Sequence, residues 1–435
     1  MTAEVAIINS NGVALAADSA VTVGGKKIYN SALKLFALSK TEPVGIMIYG
    51  NADLMTVPWE TLIKLFRKNI DNKYYDHLTD YGKKFIEYLN KNSQFFSEKE
   101  QNNWLINQAM FWYKDMLQDV DRKISERTIH GDEVDEASKN NLMIANIDRY
   151  YNVLDTRPIT LDIQAKEAKI LKKKIKASVT ETVEYMFNDF KLPKQSLNLL
   201  FEIAFLCVHK HTFQRSSSGI VIAGFGESEI YPSIITYEIA GVYNNSLIYR
   251  TVEGKSLISN SESEVGIVAF AQEDMVSTLM QGVNPSLLEF INNHISQTIT
   301  NVGTFCSENL FTEEVKHLLP IQSETFQNNL GKLIDDFLKN IQNRIREEHI
   351  SPVVNMVSAL PKDELAAMAE SLVNLTAFKR RISESLETVG GPIDVAVISK
   401  GDGLVWVKRK QYFPAQLNQH FFKNYFRCDE HEKGE

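Results

Sequence analysis

Cysteine is scarce in this sequence of 435 residues, and its three copies, Cys207, Cys306 and Cys428, lie far apart. A disulfide framework in a secreted domain needs an even number of cysteines at close spacing, so this scarcity argues against one. The start of the sequence, Met1 to Val5, lacks both the basic region and the cleavage site of a secretory signal. Both features predict a protein of the reducing cytoplasm.

Long hydrophobic runs and an excess of positive charge are also missing. No apolar stretch reaches the roughly 20 residues that a membrane-spanning helix needs, so no membrane segment is predicted. Lysine and arginine total 47 against 55 aspartates and glutamates, a net charge of −8, which is unlike a nucleic-acid-binding surface. The short basic runs at 172–174 and 379–381 lie in helical stretches and are interpreted as solvated helix faces. Neither a nucleic-acid nor a membrane partner is therefore expected.

Glycine is nearly absent from the long segment between Gly50 and Gly219. Charged and aromatic residues recur there at helical spacing, so residues 57–211 are predicted to be α-helical and to include core helices and a large insertion. The polar stretch 121–141 is predicted to be a flexible connection between pairs of helices.

Short apolar runs separated by turn residues predict β-strands before and after the helical segment. Because 435 residues exceed the length that one core usually serves, the chain is expected to be modular. The predicted segments are N-terminal core strands at 1–56, the helical segment at 57–211, core strands and a helix at 212–290, additional helices at 291–355, a core helix and final hairpin at 356–412, and a C-terminal tail at 413–435.

The order of these segments predicts an α+β fold. Hairpins whose turns contain glycine imply antiparallel strand pairing, which argues against a doubly wound parallel sheet. The strands at 4–8 and 13–17 carry apolar residues on both faces, so two such sheets must stack and be covered outside by helices. The predicted architecture is a four-layer α-β-β-α sandwich with a large α-helical insertion.

Three residue types at two equal intervals mark the start of the chain as the candidate active site. Thr2 precedes Asp18 by sixteen residues, and Lys34 follows Asp18 by sixteen more. Asp18 lies in the stretch Ala-Asp-Ser-Ala-Val-Thr, and Gly50 closes a later apolar run. This arrangement resembles the proteasome β-subunit family of N-terminal nucleophile (Ntn) hydrolases, and the fold that the resemblance implies is the Ntn-hydrolase sandwich.

The chemistry of these residues agrees with the resemblance. A threonine hydroxyl is a weak nucleophile and needs a base whose pKa lies near neutral pH. A free α-amino group, with an unperturbed pKa of about 7.7–8.0, can be that base if Thr2 becomes the first residue after loss of Met1. The Lys34 ammonium would lower the pKa of this amine, and Asp18 would hold and charge-balance Lys34. The backbone N–H of Gly50, where no Cβ blocks the approach, is the expected oxyanion donor.

The resemblance implies a threonine-type peptidase or amidohydrolase that acts on a peptide or protein and needs no cofactor and no metal. Water would resolve the acyl ester on Thr2 in a hydrolase, and an incoming amine would resolve it in a transpeptidase. The resemblance leaves room for a homo-oligomer and for an ATPase or accessory protein. The alternative is a catalytically inactive scaffold or ring subunit of the same fold in a multi-protein system. The insertion could recognise substrate, cap the site or block ring assembly.

The resemblance extends over three pieces of the chain, 2–57, 219–280 and 361–408. Within them, the positions that correspond to the family's substrate pocket are mainly apolar and uncharged. The same side chains could instead pack the sandwich, and the sequence leaves both interpretations open. These positions are Val21, Thr22, Ala32, Phe36, Ile48 and Ala52.

The sequence departs from the family's pattern at its accessory polar residues. The accessory Asp and Ser in the loop before the last two strands correspond to Leu386 and Val389, and a further accessory Ser corresponds to Gln272. Glu387 and Thr388 lie one residue away and could substitute for the first two.

Cys207, His209 and His211 form another group of side chains that are able to bind metal. A metal site would need a second cluster of cysteine or histidine, which the sequence lacks. Packing and surface roles are therefore expected for these three residues.

Overall fold

The computed structural model describes residues 3–23, 27–70, 73–130, 134–214, 217–259, 262–309, 319–382, 389–411 and 413–426. Within these ranges the chain combines helices with antiparallel sheets, which confirms a mixed α and β protein. The chain divides into two units, Met1–Leu35 with Ser259–Glu435, and Phe36–Ile258. The stacking of two sheets into four layers stays a prediction.

The described elements follow one another as strands, helices, strands, helices and a hairpin, with one short helix after it. The strands are β1 (Ala3–Asn9), β2 (Gly12–Ala17), β3 (Val21–Val23), β4 (Lys27–Tyr29), β5 (Leu35–Ala37), β6 (Val44–Gly50), β7 (Asp53–Leu54), β8 (Val57–Pro58), β9 (Ser218–Gly224), β10 (Ser233–Tyr243), β11 (Ser246–Thr251), β12 (Gly266–Ala271), β13 (Asp394–Ser399) and β14 (Gly403–Lys408).

The helices are mostly long. They are α1 (Trp59–Ile70), α2 (Leu78–Lys91), α3 (Glu98–Ile129), α4 (Glu136–Asp155), α5 (Ala165–Met186), α6 (Lys194–His209), α7 (Asp274–Gln281), α8 (Pro285–Asn309), α9 (Leu319–Ile345), α10 (Ser351–Ala359), α11 (Lys362–Ile382) and α12 (Gln419–Phe426). In the described ranges, none of them has both the length and the apolar character needed to cross a bilayer.

The first unit is built on a five-stranded sheet with the order β12-β1-β2-β13-β14. Its strands pair antiparallel, β1 with β12 and β2, and β13 with β2 and β14. The turn between β1 and β2 is tight, because Asn9 pairs directly with Gly12. A Cβ at Gly12 would lie 2.4 Å from the Ile398 carbonyl oxygen, so glycine lets β13 approach at this point. The first and last strands of the chain thereby share one sheet.

One face of this sheet packs on α10 and α11. Ala14 and Ala16 of β2 belong to the same hydrophobic cluster as Ala366 and Ala369 of α11. Short side chains on both elements allow helix and sheet to approach closely. Larger apolar residues fill the cluster around them: Val5, Ile7, Val276, Val357, Leu365, Leu372, Val373, Val395 and Val397.

The second unit is built on a sheet with the order β11-β10-β9-β6-β5. β6 and β9 pair directly, although helices α1 to α6 lie between them in the sequence. The chain therefore returns to the same sheet after the helical segment. Helix α2 packs on β9, β10 and β11, and its residues Tyr81, Phe85 and Leu89 are buried.

Helices α3 to α6 pack on each other around a second hydrophobic core. Its members include Tyr113, Met116, Ile147, Ile175 and Ile203. Trp104 of α3 joins this core to the sheet, because its Nε1–H donates to the Ala240 carbonyl oxygen at 2.8 Å. Helix α3 is thus anchored on β10 by a side chain that is both apolar and hydrogen-bonded.

The prediction of a flexible connection over 121–141 is wrong for most of that stretch. Helix α3 continues to Ile129, and α4 begins at Glu136. Asp119 accepts hydrogen bonds from Arg122 and Arg149 and lies 3.2 Å from Lys123. Charges that are typical of a solvated connection instead pair along α3 and between α3 and α4.

Leu365 and Leu375 of α11 provide a matched test of the packing under the first sheet. Leu365 is fully buried, whereas Leu375 is 36% exposed on the same helix. We expect Leu365→Ala to lower the free energy of unfolding by about 2–5 kcal/mol, because the cavity left behind adds to the lost burial. Leu375→Ala should change it by less than about 1 kcal/mol. Urea-induced unfolding measures both, and equal losses would contradict the packing described.

Candidate active site

The first described residue, Ala3, is held on Asp18 by two hydrogen bonds. The Ala3 N–H donates to Asp18 Oδ1 at 3.1 Å, and the Asp18 N–H donates to the Ala3 carbonyl oxygen at 3.1 Å. The pairing of β1 with β2 brings the two residues together, because Asp18 directly follows β2. Thr2, the predicted nucleophile, lies outside the described residues.

The Asp18 carboxylate is fully buried and accepts hydrogen bonds from four groups. Oδ1 accepts from the Ala3 N–H and from Lys34 Nζ. Oδ2 accepts from the N–H groups of Ala20, at 3.3 Å, and Gly390, at 2.9 Å. These donors compensate the loss of hydration that burial imposes on a carboxylate.

Lys34 lies between two buried carboxylates. Its ammonium donates to Asp18 and lies 3.4 Å from Glu4 Oε1. Lys34 is 4% exposed and Glu4 is 1% exposed. The structure thus brings Asp18 and Lys34 together and adds Glu4, which sequence reasoning missed. The sequence did carry a signal for Glu4, which is a glutamate in an otherwise apolar strand. Such a glutamate indicates a nearby cation, because buried charges occur almost only in pairs.

The glycine loop before β13 closes over Ser19. Gly390 accepts a hydrogen bond from the Ser19 N–H at 3.1 Å, and Ser19 Oγ donates to the Pro392 carbonyl oxygen. Gly391 has a φ of +77°, and a Cβ there would lie 2.7 Å from the Cβ of Asn30. Glycine is therefore required at this position for the loop to come so close.

Lys410 and Asp394 extend this buried group and were also missed. The Lys410 N–H donates to Asp394 Oδ1 at 2.8 Å, and its Nζ lies 3.2 Å from Asp394 Oδ2. The same Nζ donates to Ser19 Oγ. Burial lowers the pKa of the Lys410 ammonium, while Asp394 opposes that shift and Lys34 adds to it. The one signal in the sequence was Asp394, a charged residue at the first position of the apolar strand β13.

Gly50, the predicted oxyanion donor, belongs to the second unit and ends β6. Its φ is +81°, and a Cβ there would lie 2.6 Å from the Ser217 carbonyl oxygen. Glycine is therefore required for the pairing of β6 with β9 itself. The oxyanion role of its N–H stays a prediction.

The six residues predicted to line a substrate pocket are divided between the two units, and the pocket stays a prediction. Phe36 and Ile48 are buried. Their places are Val21 and Thr22 in β3, Ala32 between β4 and β5, Phe36 in β5, Ile48 in β6, and Ala52 between β6 and β7.

The accessory positions of the family's pattern carry no matching hydroxyl or carboxylate in the described residues. Residues 386–388 lie outside the described ranges. Val389 is buried in the hydrophobic cluster under the first sheet. Gln272, directly after β12, is 4% exposed and accepts a hydrogen bond from Arg380 of α11. The basic run 379–381 is therefore more than a solvated helix face.

Among the described residues, no group of three or more His, Cys, Asp and Glu side chains is placed to hold a metal ion. Cys207 is buried in α6, and burial raises its pKa to about 12. His209 stacks on Phe205, and its Nδ1 lies 2.8 Å from the Leu161 carbonyl oxygen. These contacts agree with the packing roles expected for the two residues.

A cleft of about 250 Å³ with both polar and apolar walls lies in the second unit. Its walls come from the segment after β6, including Asn51 and Asp53, and from α3, including Glu100 and Asn103. Thr56 Oγ1 donates to Glu100 Oε1 at 2.5 Å and joins the two walls. Helix α3 thus supplies one wall of this cleft.

No family model matches the sequence, and no curated protein matches it. Among solved structures, the chain is similar to Anbu (ancestral beta-subunit) from Yersinia bercovieri, with 8% identity, a TM-score of 0.25, and coverage of 97% of this chain and 94% of that chain. It is similar to the helical assembly of the Anbu complex from Pseudomonas aeruginosa, with 9% identity, a TM-score of 0.27, and coverage of 97% and 93%. It is also similar to an Anbu mutant from Hyphomicrobium sp. strain MC1, with 10% identity, a TM-score of 0.27, and coverage of 98% and 92%.

These findings correct the family assignment made from the sequence. The resemblance predicts a match to proteasome β-subunits, whereas the structures found are Anbu proteins and no family model matches. The assignment to the proteasome β-subunit-like Ntn hydrolases is therefore wrong. A threonine, an aspartate and a lysine at two intervals occupy only three positions, which are too few to assign a family. At these TM-scores the similarity to Anbu carries no argument about the activity of this chain.

Lys34→Met tests whether the lysine is needed to keep two carboxylates buried. We expect it to lower the free energy of unfolding by about 3–5 kcal/mol, because Asp18 and Glu4 lose their shared cation. Lys27→Met, at an exposed position of β4, is the matched control and should change stability by less than about 0.5 kcal/mol. Denaturant unfolding measures both variants. A loss for Lys34→Met no larger than that of the control would contradict the ion pairing described.

Proposed function

We propose that this chain cleaves or transfers an amide or peptide acyl group, with Thr2 as its nucleophile once Met1 is removed. The observation that supports the proposal is the buried group of Glu4, Asp18 and Lys34, in which Asp18 accepts a hydrogen bond from Ala3, the residue after Thr2. Buried charges cost free energy, and such groups are concentrated at sites that perform chemistry.

In the proposed mechanism, the Thr2 hydroxyl attacks the carbonyl carbon of the substrate, and the α-amine of the same residue takes the hydroxyl proton. The tetrahedral intermediate then expels the leaving amine, which receives that proton from the α-ammonium. An ester on Thr2 remains. Water or a second amine attacks this ester and restores the free hydroxyl, so that hydrolysis or transpeptidation results.

Lys34 favours the neutral, basic form of a nearby α-amine, because like charges repel each other. Asp18 orients both partners, since its Oδ1 accepts from Lys34 and from the N–H of Ala3. Glu4 offsets part of the lysine's charge. The N–H of Gly50 is the proposed oxyanion donor, and this chemistry needs neither a metal nor a cofactor.

The second candidate function is a non-catalytic scaffold or subunit of a larger assembly. Helices α8 and α9 pack on each other and expose large apolar side chains, among them Phe290 at 58%, Phe305 at 61% and Leu333 at 61%. Several exposed apolar residues on one helix pair are typical of an interaction surface. The Anbu complex from Pseudomonas aeruginosa is described as a helical assembly. A homo-oligomer, an ATPase or accessory protein, and a cytoplasmic location stay predictions.

Thr2→Ala and Thr2→Ser separate the two candidates. The mature wild-type chain should lack the mass of Met1 and gain the mass of one peptide vinyl sulfone, an electrophile that traps an N-terminal hydroxyl. We expect Thr2→Ser to react as well and Thr2→Ala to react at least about 100-fold more slowly, because only the hydroxyl forms the bond. Thr56→Ala is the matched control for an ordinary threonine. Intact-mass spectrometry reads all four proteins, and retention of Met1 or equal labelling of Thr2→Ala would refute the nucleophile.

Phe290→Glu combined with Phe305→Glu tests the second candidate. Charges on the exposed face of α8 should prevent its burial against another chain. An assembly through this face should appear as a multiple of the chain mass in light scattering, and the double variant should reduce it to a single chain. Tyr185→Glu, at a position that is 82% exposed on α5, is the control and should leave the mass unchanged. A wild-type chain that is monomeric at all concentrations would refute self-assembly.

A further inference from the structure

The segment after the last strand enters the buried group at the start of the chain. Lys410 lies two residues after β14, and its side chain is 11% exposed. Its neighbours Arg409 and Gln411 are exposed, so the lysine alone turns inward. There its Nζ meets Asp394 Oδ2 at 3.2 Å and donates to Ser19 Oγ.

Lys410 supplies one of the two positive charges that pair with three buried carboxylates in this part of the first unit. Three carboxylates, those of Glu4, Asp18 and Asp394, are each at most 1% exposed. Lys34 pairs with the first two, and Lys410 pairs with the third. In the segment after β12, Gln272 accepts a hydrogen bond from Arg380 of α11, and Asp274 of α7 pairs with Lys379 of α11 at 2.9 Å.

The path from Lys410 to the start of the chain is short and is made of hydrogen bonds. Ser19, which accepts from Lys410, directly follows Asp18, and both residues bond to Gly390. Asp18 in turn accepts from the N–H of Ala3. Lys410 is therefore connected to the start of the described chain through Ser19 and Asp18.

We propose that Lys410 is a positioning residue that sets the charge balance around the N-terminal amine of Thr2. This role deepens the proposed function and rests on it. Loss of the lysine increases the excess of negative charge among Glu4, Asp18 and Asp394 by one. An excess negative charge stabilises the protonated amine, so the fraction of free amine at neutral pH falls. Loss of Asp394 alone has the opposite effect.

The test uses the full chain with Thr2 exposed by a cleavable N-terminal fusion, so that it does not depend on removal of Met1. Two rates are followed from pH 5.5 to 9.5 by intact mass: vinyl sulfone labelling of Thr2, and acetylation of the α-amine by acetic anhydride, located by peptide mapping. The second rate reports the free amine whether or not the hydroxyl reacts. The variants are Lys410→Met, Lys410→Arg, Asp394→Asn and the Lys410→Met/Asp394→Asn pair, and the control is Lys408→Met, which removes an exposed ion pair with Glu370.

Lys410→Met should raise the pH midpoint of both rates by at least about half a pH unit, because one cation is lost from a poorly hydrated group. Lys410→Arg, Lys408→Met and the charge-neutral double variant should keep the wild-type midpoint, and Asp394→Asn should lower it. An unchanged midpoint in Lys410→Met, or a double variant shifted as far as Lys410→Met, would overturn the proposal.

If Lys410→Met does not fold, Asp394→Asn still decides the matter, since an unchanged or raised midpoint in that variant also overturns the proposal. The two proposals fail separately in this design. A wild-type chain that resists vinyl sulfone but whose amine midpoint moves with Lys410 would refute the nucleophile and keep the charge balance. Labelling of Thr2 together with an amine midpoint that does not change in Lys410→Met would keep the nucleophile and refute the charge balance.

Discussion

A carboxylate removed from water must find hydrogen-bond donors and a counter-charge, and Asp18 imposes this requirement on the whole first unit. Its donors come from β1, from the segment before β5 and from the loop before β13. Each segment is held by the others, because the loss of one donor leaves a buried oxygen atom without compensation. The sheet order β12-β1-β2-β13-β14 places β1 and β13 on either side of β2, the strand that leads into Asp18.

Local patterns in the sequence predict the hairpins and the helical segment but not the pairing between distant strands. The β1–β2 and β13–β14 hairpins follow from short apolar runs around glycine turns, which are local signals. The pairing of β1 with β12 and of β2 with β13 joins segments more than two hundred residues apart, and no local period encodes it. The extension of α3 was missed because Asp119 finds Arg149 only after α3 and α4 are in contact.

The candidate site could be predicted only as far as spacing carries chemical meaning. Asp18 and Lys34 were found from their intervals, and they form an ion pair. Sequence reasoning missed Glu4, Asp394 and Lys410 because their burial depends on the tertiary structure. In the local sequence, each resembles an ordinary surface charge or the end of a strand. The family assignment failed for a related reason, since a few residues that suit one reaction can occur in chains without close kinship.

The first unit is made from both ends of the chain, and this has a consequence for its synthesis. The β1–β2 hairpin leaves the ribosome with both of its edges unpaired, because β12 and β13 are encoded far downstream. At roughly 5–20 residues per second, this interval lasts on the order of tens of seconds, during which the second unit can already fold. Lys410 is the last member of the buried charged group to emerge, so this group is completed only after β13 and β14 have been made. A nascent chain therefore carries its candidate nucleophile in an unfinished environment.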